Sequence, residues 1–214
     1  MIEAVLFDFD GVIADSERLH WSAFNLILEP RGRTISWEEY IEVFIGFDDR
    51  DAFRHALPTL EQTELRAMIA AKAGAFQTLL KEGGAAALPG AVELIQHLSG
   101  NIPIAICSGA LREDIVPILD SLGVADAFDT IVTAEDTPRS KPDPAPYRLT
   151  AERLGITCGL VIEDTPAGIA SAKGAGMKVL AVTNSYDRSH LTDADAVVHT
   201  LEELTLATLK QLVN

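Results

Sequence analysis

The chain of 214 residues predicts an α/β fold, a Rossmann-like, doubly wound parallel sheet with an all-helical cap inserted into it. Three observations carry that prediction. From about residue 89 onward, short apolar runs alternate with helical patterns, as repeated strand–helix units do. The runs are rich in Val, Ile and Leu and lack polar alternation, the mark of strands covered on both faces. Residues 16–87, between the first run and the second, drop the strand rhythm and show helical spacing throughout.

The elements follow in order. Ala4-Val5-Leu6-Phe7 reads as a buried strand that ends in Asp8-Phe9-Asp10-Gly11. Trp21, Phe24 and Leu28 then share one helical face, and Ser36 with Glu39 and Thr59 with Gln62 have the spacing of capping boxes. Gly83-Gly84 and Pro89-Gly90 mark the return to the sheet. Strands are expected at Ile102–Cys107, Thr130–Thr133, Gly159–Ile162, Lys178–Val182 and Ala196–Val198. Helices are expected at Ala91–Leu98, Leu111–Leu122, Pro146–Leu154 and Pro166–Ala175. Gly123, Gly155 and Gly176 stand where C-terminal caps belong, and Pro166 suits the first turn of a helix capped by Thr165. The expected division is a core of residues 1–15 and 88–214 and a cap of residues 16–87. Gly11–Ser16 and the residues near Ala87–Pro89 form the two linker strands.

Composition narrows the function. A formal net charge of −15 repels nucleic acid and anionic lipid, so neither is an expected partner. An anionic substrate would need local cations from a metal, Lys or Arg. Cys107 and Cys158 lie in or beside apolar runs and read as small buried hydrophobes in a reducing cytoplasm. The first apolar run is short and broken by acids, so no secretory leader is expected, and no run is long enough to span a bilayer.

Chemistry concentrates at strand ends. Asp8 and Asp10 point the same way from one strand and repel each other unless a cation or a proton intervenes. Ser108-Gly109 follows a second strand, Lys141 lies in Ser140-Lys141-Pro142-Asp143-Pro144, and Glu163-Asp164-Thr165 follows a third strand. In a parallel sheet these ends share one side. Singly, each has a plainer reading: Ser108 as a helix cap, Lys141 as a solvated lysine, Asp8 and Asp164 as turn formers. Together, they point to phosphoryl transfer. Mg²⁺ takes oxygen ligands, here Asp8, Asp164 and a main-chain carbonyl near Asp10. The free oxygen of one carboxylate can attack phosphorus, and Asp10 can protonate the leaving oxygen and later deprotonate water. Ser108 and nearby main-chain N–H groups would hold phosphate oxygens, with Lys141 neutralising charge.

These four pieces resemble the four motifs of the haloacid dehalogenase superfamily, and the resemblance spans the whole chain. The helical insert resembles the type 1 cap of its phosphatase and β-phosphoglucomutase branch. The resemblance implies Asp8 as nucleophile, Asp10 as acid/base, and Mg²⁺ held by Asp8, the Asp10 carbonyl and Asp164, with Glu163 at or just behind the metal. Gly11, Ser108, Gly109 and Lys141 carry over as phosphate-site residues. His20 has two readings, a satisfied half-buried histidine or a cap residue that faces the site. Phe47, Asp48, Asp49 and Arg50, after Gly46, read either as a solvated loop or as a segment that reaches the substrate, with Arg50 a candidate substrate contact.

The expected activity is a Mg²⁺-dependent phosphatase of a small phosphomonoester, working as a cytoplasmic monomer. The alternative is a hexose phosphate mutase of the β-phosphoglucomutase type. Against it, Asp49 stands where the mutase pattern has an arginine, and the mutase's cap lysine has no clear match, with Gln77 nearest and Lys81 a turn further on. A non-catalytic binding module is the third reading.

Overall fold

The computed structural model describes residues 2–213; Met1 and Asn214, the outer limits of the expected core, lie outside the described residues. Six parallel strands form the main sheet: β1 (Ala4–Phe7), β4 (Ile104–Cys107), β5 (Thr130–Val132), β6 (Gly159–Glu163), β7 (Lys178–Val182) and β8 (Ala196–Val198), in the order β5-β4-β1-β6-β7-β8. The chain winds outward from β1 to β4 and β5, then returns to place β6 on the other side of β1. That reversal opens a crevice beyond the carboxyl ends of β1, β4 and β6, where ligands of such sheets bind.

Both faces of the sheet are covered. Val5 and Phe7 pack under α5 (Ala91–Leu98), α6 (Arg112–Leu122) and α9 (Leu206–Leu212). Ala4 and Leu6, pointing the other way, pack under α7 (Ala145–Leu154) and α8 (Pro166–Gly174). All four β1 side chains are fully buried, which is why these strands read as continuous apolar runs. Each buried Leu, Val or Phe contributes about 1.5–3 kcal/mol relative to exposure.

Two strands end earlier or later than the sequence suggests. β4 starts at Ile104 because the Ile102 N–H still bonds back to Leu98 and Pro103 has no N–H to give. β6 continues through Glu163, which stays in register with Ala181 of β7. Gly123 and Gly155 are the left-handed C-caps expected of them, and Thr165 caps α8 by accepting the Gly168 N–H. Gly176 also has positive φ, but the cap of α8 itself is Ala175.

Between β1 and β4 the chain is helical apart from a short ribbon. It runs through α1 (Glu17–Leu28), a brief α2 (Trp37–Glu39) that continues as a π turn over Tyr40–Phe44, α3 (Asp49–Ala56) and the 22-residue α4 (Gln62–Gly83). These helices bury their own apolar cluster, with Phe24, Leu28, Phe44, Phe53, Leu65 and Met68 at its centre. Ser36 accepts the Glu39 N–H as a cap should, but the Glu39 carboxylate turns to Arg33 instead of completing a box. The box expected at Thr59–Gln62 does not form; Glu61 precedes α4 with no side-chain cap bond. Entry and exit run side by side, because β2 (Ala14–Asp15) pairs antiparallel with β3 (Ala86–Ala87). No helix among the described residues is long and apolar enough to cross a membrane.

Candidate active site

Sheet pairing continues past the strands and fixes the first acid. The Asp8 N–H donates to the Ile162 carbonyl at 3.0 Å, which holds Asp8 beside the end of β6. Asp8, Glu163 and Asp164 thereby converge, all buried, with one carboxylate oxygen of each within 4.8 Å of the others. Lys141 answers part of that charge, its ammonium 2.8 Å from Asp8 Oδ1 and 2.6 Å from Glu163 Oε1.

Glu163 is fully engaged by protein donors. Its Oε1 also accepts from the Tyr147 hydroxyl, and its Oε2 accepts from the Asp164 and Thr165 N–H groups and the Thr165 hydroxyl. Asp164 is not: Oδ2 accepts from the Ser185 hydroxyl, while Oδ1 is buried without any partner. Burial and the neighbouring Glu163 charge push the Asp8 carboxyl up to about 8, with Lys141 pulling the other way. The same two causes, in the same order, hold Asp164 well above the usual carboxylate range. Lys141, despite burial, is held above the usual lysine range by Asp8 and Glu163. Such a cluster binds a cation or a proton rather than standing fully ionised.

Asp10 belongs to a second network. Its Oδ1 accepts from the Ser16 hydroxyl and lies 3.1 Å from His20 Nε2. His20 Nδ1 is 2.8 Å from the Lys72 ammonium and so accepts from it, which leaves the ring hydrogen on Nε2 facing Asp10. Burial alone would raise the Asp10 carboxyl; His20 and Ser16 together hold it below its usual range. The His20 ring also stacks on Phe76, with centroids 4.3 Å apart. His20 is therefore both buried and turned toward the site.

The remaining expected residues divide. Ser108 and Gly109 line the cavity with Asp8, Asp10, His20 and Lys141. Ser108 is not the cap of α6, a place taken by Leu111; its Oγ accepts the Ala110 N–H in a tight turn. Gly11 has φ +75°, and a β-carbon there would lie 1.9 Å from Asp164 Oδ2. Only glycine lets the chain pass so close to that acid. Arg50 lines not this cavity but an adjoining one that shares Ser108, Gly109 and Lys141; its guanidinium is tied to Asp48 and to the Thr137 carbonyl.

Three site residues escaped sequence reasoning: Lys72, Tyr147 and Ser185. Lys72 is a buried lysine of α4. It is 1% exposed, 2.9 Å from Asp49 Oδ1 and 3.9 Å from Asp114. Gln77 bonds Asp114 and the Glu113 carbonyl of α6, and Lys81 is exposed near the end of α4. A signal existed. Leu65, Met68, Lys72 and Phe76 share the buried stripe of α4, and a lysine on an apolar stripe is paired inside or misplaced.

Comparison with known proteins agrees with this geometry. The haloacid dehalogenase-like hydrolase family matches residues 5–182. Hexitol phosphatase A of Escherichia coli K12 is 33% identical over 210 residues, covering 94% of this chain and 92% of its own. The crystal structure of CbbY from Rhodobacter sphaeroides in complex with phosphate superposes with a TM-score of 0.89 at 27% identity, covering 98% of this chain and all of that one. β-Phosphoglucomutase from Clostridium difficile gives a TM-score of 0.88 at 26% identity, covering 100% of this chain and 98% of that one.

Proposed function

This chain belongs to the haloacid dehalogenase-like hydrolases, and on that premise we propose that it is a Mg²⁺-dependent phosphatase of small sugar-like phosphomonoesters, acting through an aspartyl-phosphate on Asp8. The observation that carries the reading is the buried Asp8–Glu163–Asp164 cluster with one carboxylate oxygen, Asp164 Oδ1, left without a partner. An all-oxygen donor set of this kind suits Mg²⁺, which uses one or two carboxylates and leaves room for substrate oxygens. Asp8, Asp164 and the Asp10 main-chain carbonyl would hold the ion. Glu163, its oxygens already occupied, would stand behind it and position Lys141. When bound, Mg²⁺ offsets the negative charge that otherwise sets a carboxylate against a phosphate.

The residues then divide the work. Asp8 attacks phosphorus, forming an O–P bond as the bond to the leaving oxygen breaks. Asp10, held ionised by His20 and Ser16 before substrate binds, must first take up a proton, which it then gives to that oxygen. Ser108, the main chain at Gly109 and Lys141 bind the transferring phosphoryl oxygens. In the second half, Asp10 takes a proton from water, water attacks phosphorus, and Asp8 is released with inorganic phosphate. His20 and Ser16 keep Asp10 in the orientation both steps need. The helical insert, whose two chain connections to the core run side by side as β2 and β3, would act as the cap over a cavity of about 50 Å³. That volume holds a few waters, so a sugar phosphate requires the insert to move away and close again. Two free cysteines fit a reducing cytoplasm, and we take a monomer as the working unit.

The test is phosphate release from a panel of sugar and polyol phosphates, with Mg²⁺ and with EDTA. Release that needs Mg²⁺ supports the reading; sustained hydrolysis in EDTA removes the metal role. Lys72 favours a second reading, the hexose phosphate mutase, because it sets a lysine of the insert beside His20 and Asp49. β-Glucose 1-phosphate separates the two, since a mutase returns glucose 6-phosphate and an esterase returns free phosphate. Tight binding of a phosphate analogue without turnover on any substrate would instead mark a binding module.

A further inference from the structure

The cavity carries more information than its phosphate end. Opposite the Asp8 cluster, the insert presents Asp49, the first residue of α3. Asp49 is 9% exposed; its Oδ1 is 2.9 Å from the Lys72 ammonium, and its Oδ2 is buried with no hydrogen-bond partner. The start of α3 does not need it, because Asp48 already accepts the Asp51 N–H as the cap. A buried carboxylate oxygen left unpaired is costly unless a donor arrives. Asp164 Oδ1, also without a partner, belongs to the acid cluster, where the proposed metal would meet it.

A cation is a poorer fit at Asp49, since Lys72 already balances its charge. Nor is there a free cation for an anion to meet. Among the described residues lining the cavity, the basic side chains are Lys141, held by Asp8 and Glu163, and His20, held between Asp10 and Lys72. Arg50 is turned to Asp48 and Thr137. Glu17 adds a second acceptor on the same side, its Oε2 taking the Tyr40 hydroxyl. Phe24, Tyr40 and Phe47 supply apolar wall. Acceptors set among aromatic surface, without a free cation, suit a neutral group that donates hydroxyls.

We infer that Asp49 is a specificity-determining residue: its free carboxylate oxygen accepts a hydroxyl from an uncharged, polyhydroxylated leaving group, and, among the described residues, the cavity around it offers no free cation to a second phosphate. The inference rests on the phosphatase reading and names the substrate class of that same site. A leaving group without hydroxyls leaves Asp49 Oδ2 unpaired; one with a distal phosphate is desolvated there without a counter-charge.

The test compares kcat/KM with Mg²⁺ for sorbitol 6-phosphate and glucose 6-phosphate, for glucose 1,6-bisphosphate, and for p-nitrophenyl phosphate, whose leaving group offers no alcohol. In the unaltered enzyme the better monophosphate is expected to exceed the bisphosphate by about 100-fold or more. Asp49→Asn keeps a carbonyl for Lys72 and is expected to lower the sugar monophosphate value about tenfold more than the p-nitrophenyl phosphate value. A merely structural Asp49 would lower both alike, which overturns the inference. So would a bisphosphate turned over as well as the monophosphates, or p-nitrophenyl phosphate hydrolysed while neither monophosphate is. No hydrolysis of any of these by the unaltered enzyme overturns the phosphatase reading itself, and the inference with it.

Discussion

Asp8 is placed where an ionised carboxylate is least comfortable, buried against Glu163 and Asp164 with a single ammonium for relief. Asp8→Asn therefore lowers turnover by about 10⁴-fold or more, while urea unfolding without metal shows no loss of stability, because the amide needs no counter-charge. Retained turnover would remove Asp8 as nucleophile. Gly11 makes a complementary prediction: Gly11→Ala drives a methyl group into Asp164. It is expected to cost about 2 kcal/mol or more in urea unfolding and to weaken Mg²⁺ binding. Unchanged Mg²⁺ affinity would show that Asp164 is not a ligand. At this scale the sequence was informative wherever a residue's position in a strand is enough. Asp8, Ser108 and Glu163-Asp164 sit at strand ends whose apolar runs are visible. It marked Asp49 only as part of a segment that could reach substrate and was silent on Lys72; their pairing across α3, α4 and α1 is a tertiary fact with only the misplaced charge on α4 as a trace.

The contact of α4 with α6 carries its own charge. Asp114 of α6 is 1% exposed, accepts from Gln77, and has a second oxygen without a partner, 3.9 Å from Lys72. Burial pushes its carboxyl up to about 6 from an ordinary 3.8, with Lys72 only partly offsetting. For an acid raised in the folded state, the native form holds its proton longer than the unfolded chain. Asp114 thus lowers stability progressively as pH rises from about 4 to about 6, and the loss persists above. Asp114→Asn, which keeps the acceptor for Gln77, is expected to stabilise the protein on the order of 1–3 kcal/mol at pH 7 and by little at pH 4. Urea unfolding at the two pH values checks it; an equal effect at both would contradict the assignment. Most core elements were legible because buried parallel strands and glycine-capped helices leave local marks. Ala91–Leu98, Lys178–Val182 and Ala196–Val198 match residue for residue. The helical insert was legible only as helical. Its breaks at Arg33–Ser36 and its π turn follow from packing around Phe44 and Ile35, which no local spacing encodes.

The molecule as a whole carries a charge of −15 and gathers three of its acids in one buried place. Mg²⁺ that binds the folded chain alone should raise the melting temperature by about 5–10 °C at 100-fold excess over Kd. Asp164→Ala should abolish that response, and an equal rise in the variant would place the ion elsewhere. The wound sheet brings β1, β4 and β6 to one rim, and the β2–β3 ribbon hangs the helical insert over it. Reaction chemistry would therefore reside in the core, and the choice of leaving group in the insert. The central claim is that Asp8 carries the phosphoryl group between substrate and water. Borohydride reduction of enzyme quenched during turnover, followed by peptide mass spectrometry, tests it most directly, since reduction converts an acyl phosphate at aspartate to homoserine. The account predicts homoserine at Asp8 when substrate and Mg²⁺ are present, more of it in Asp10→Asn, and none in EDTA. Homoserine at another position, or its absence from Asp10→Asn enzyme that has consumed substrate, would contradict it.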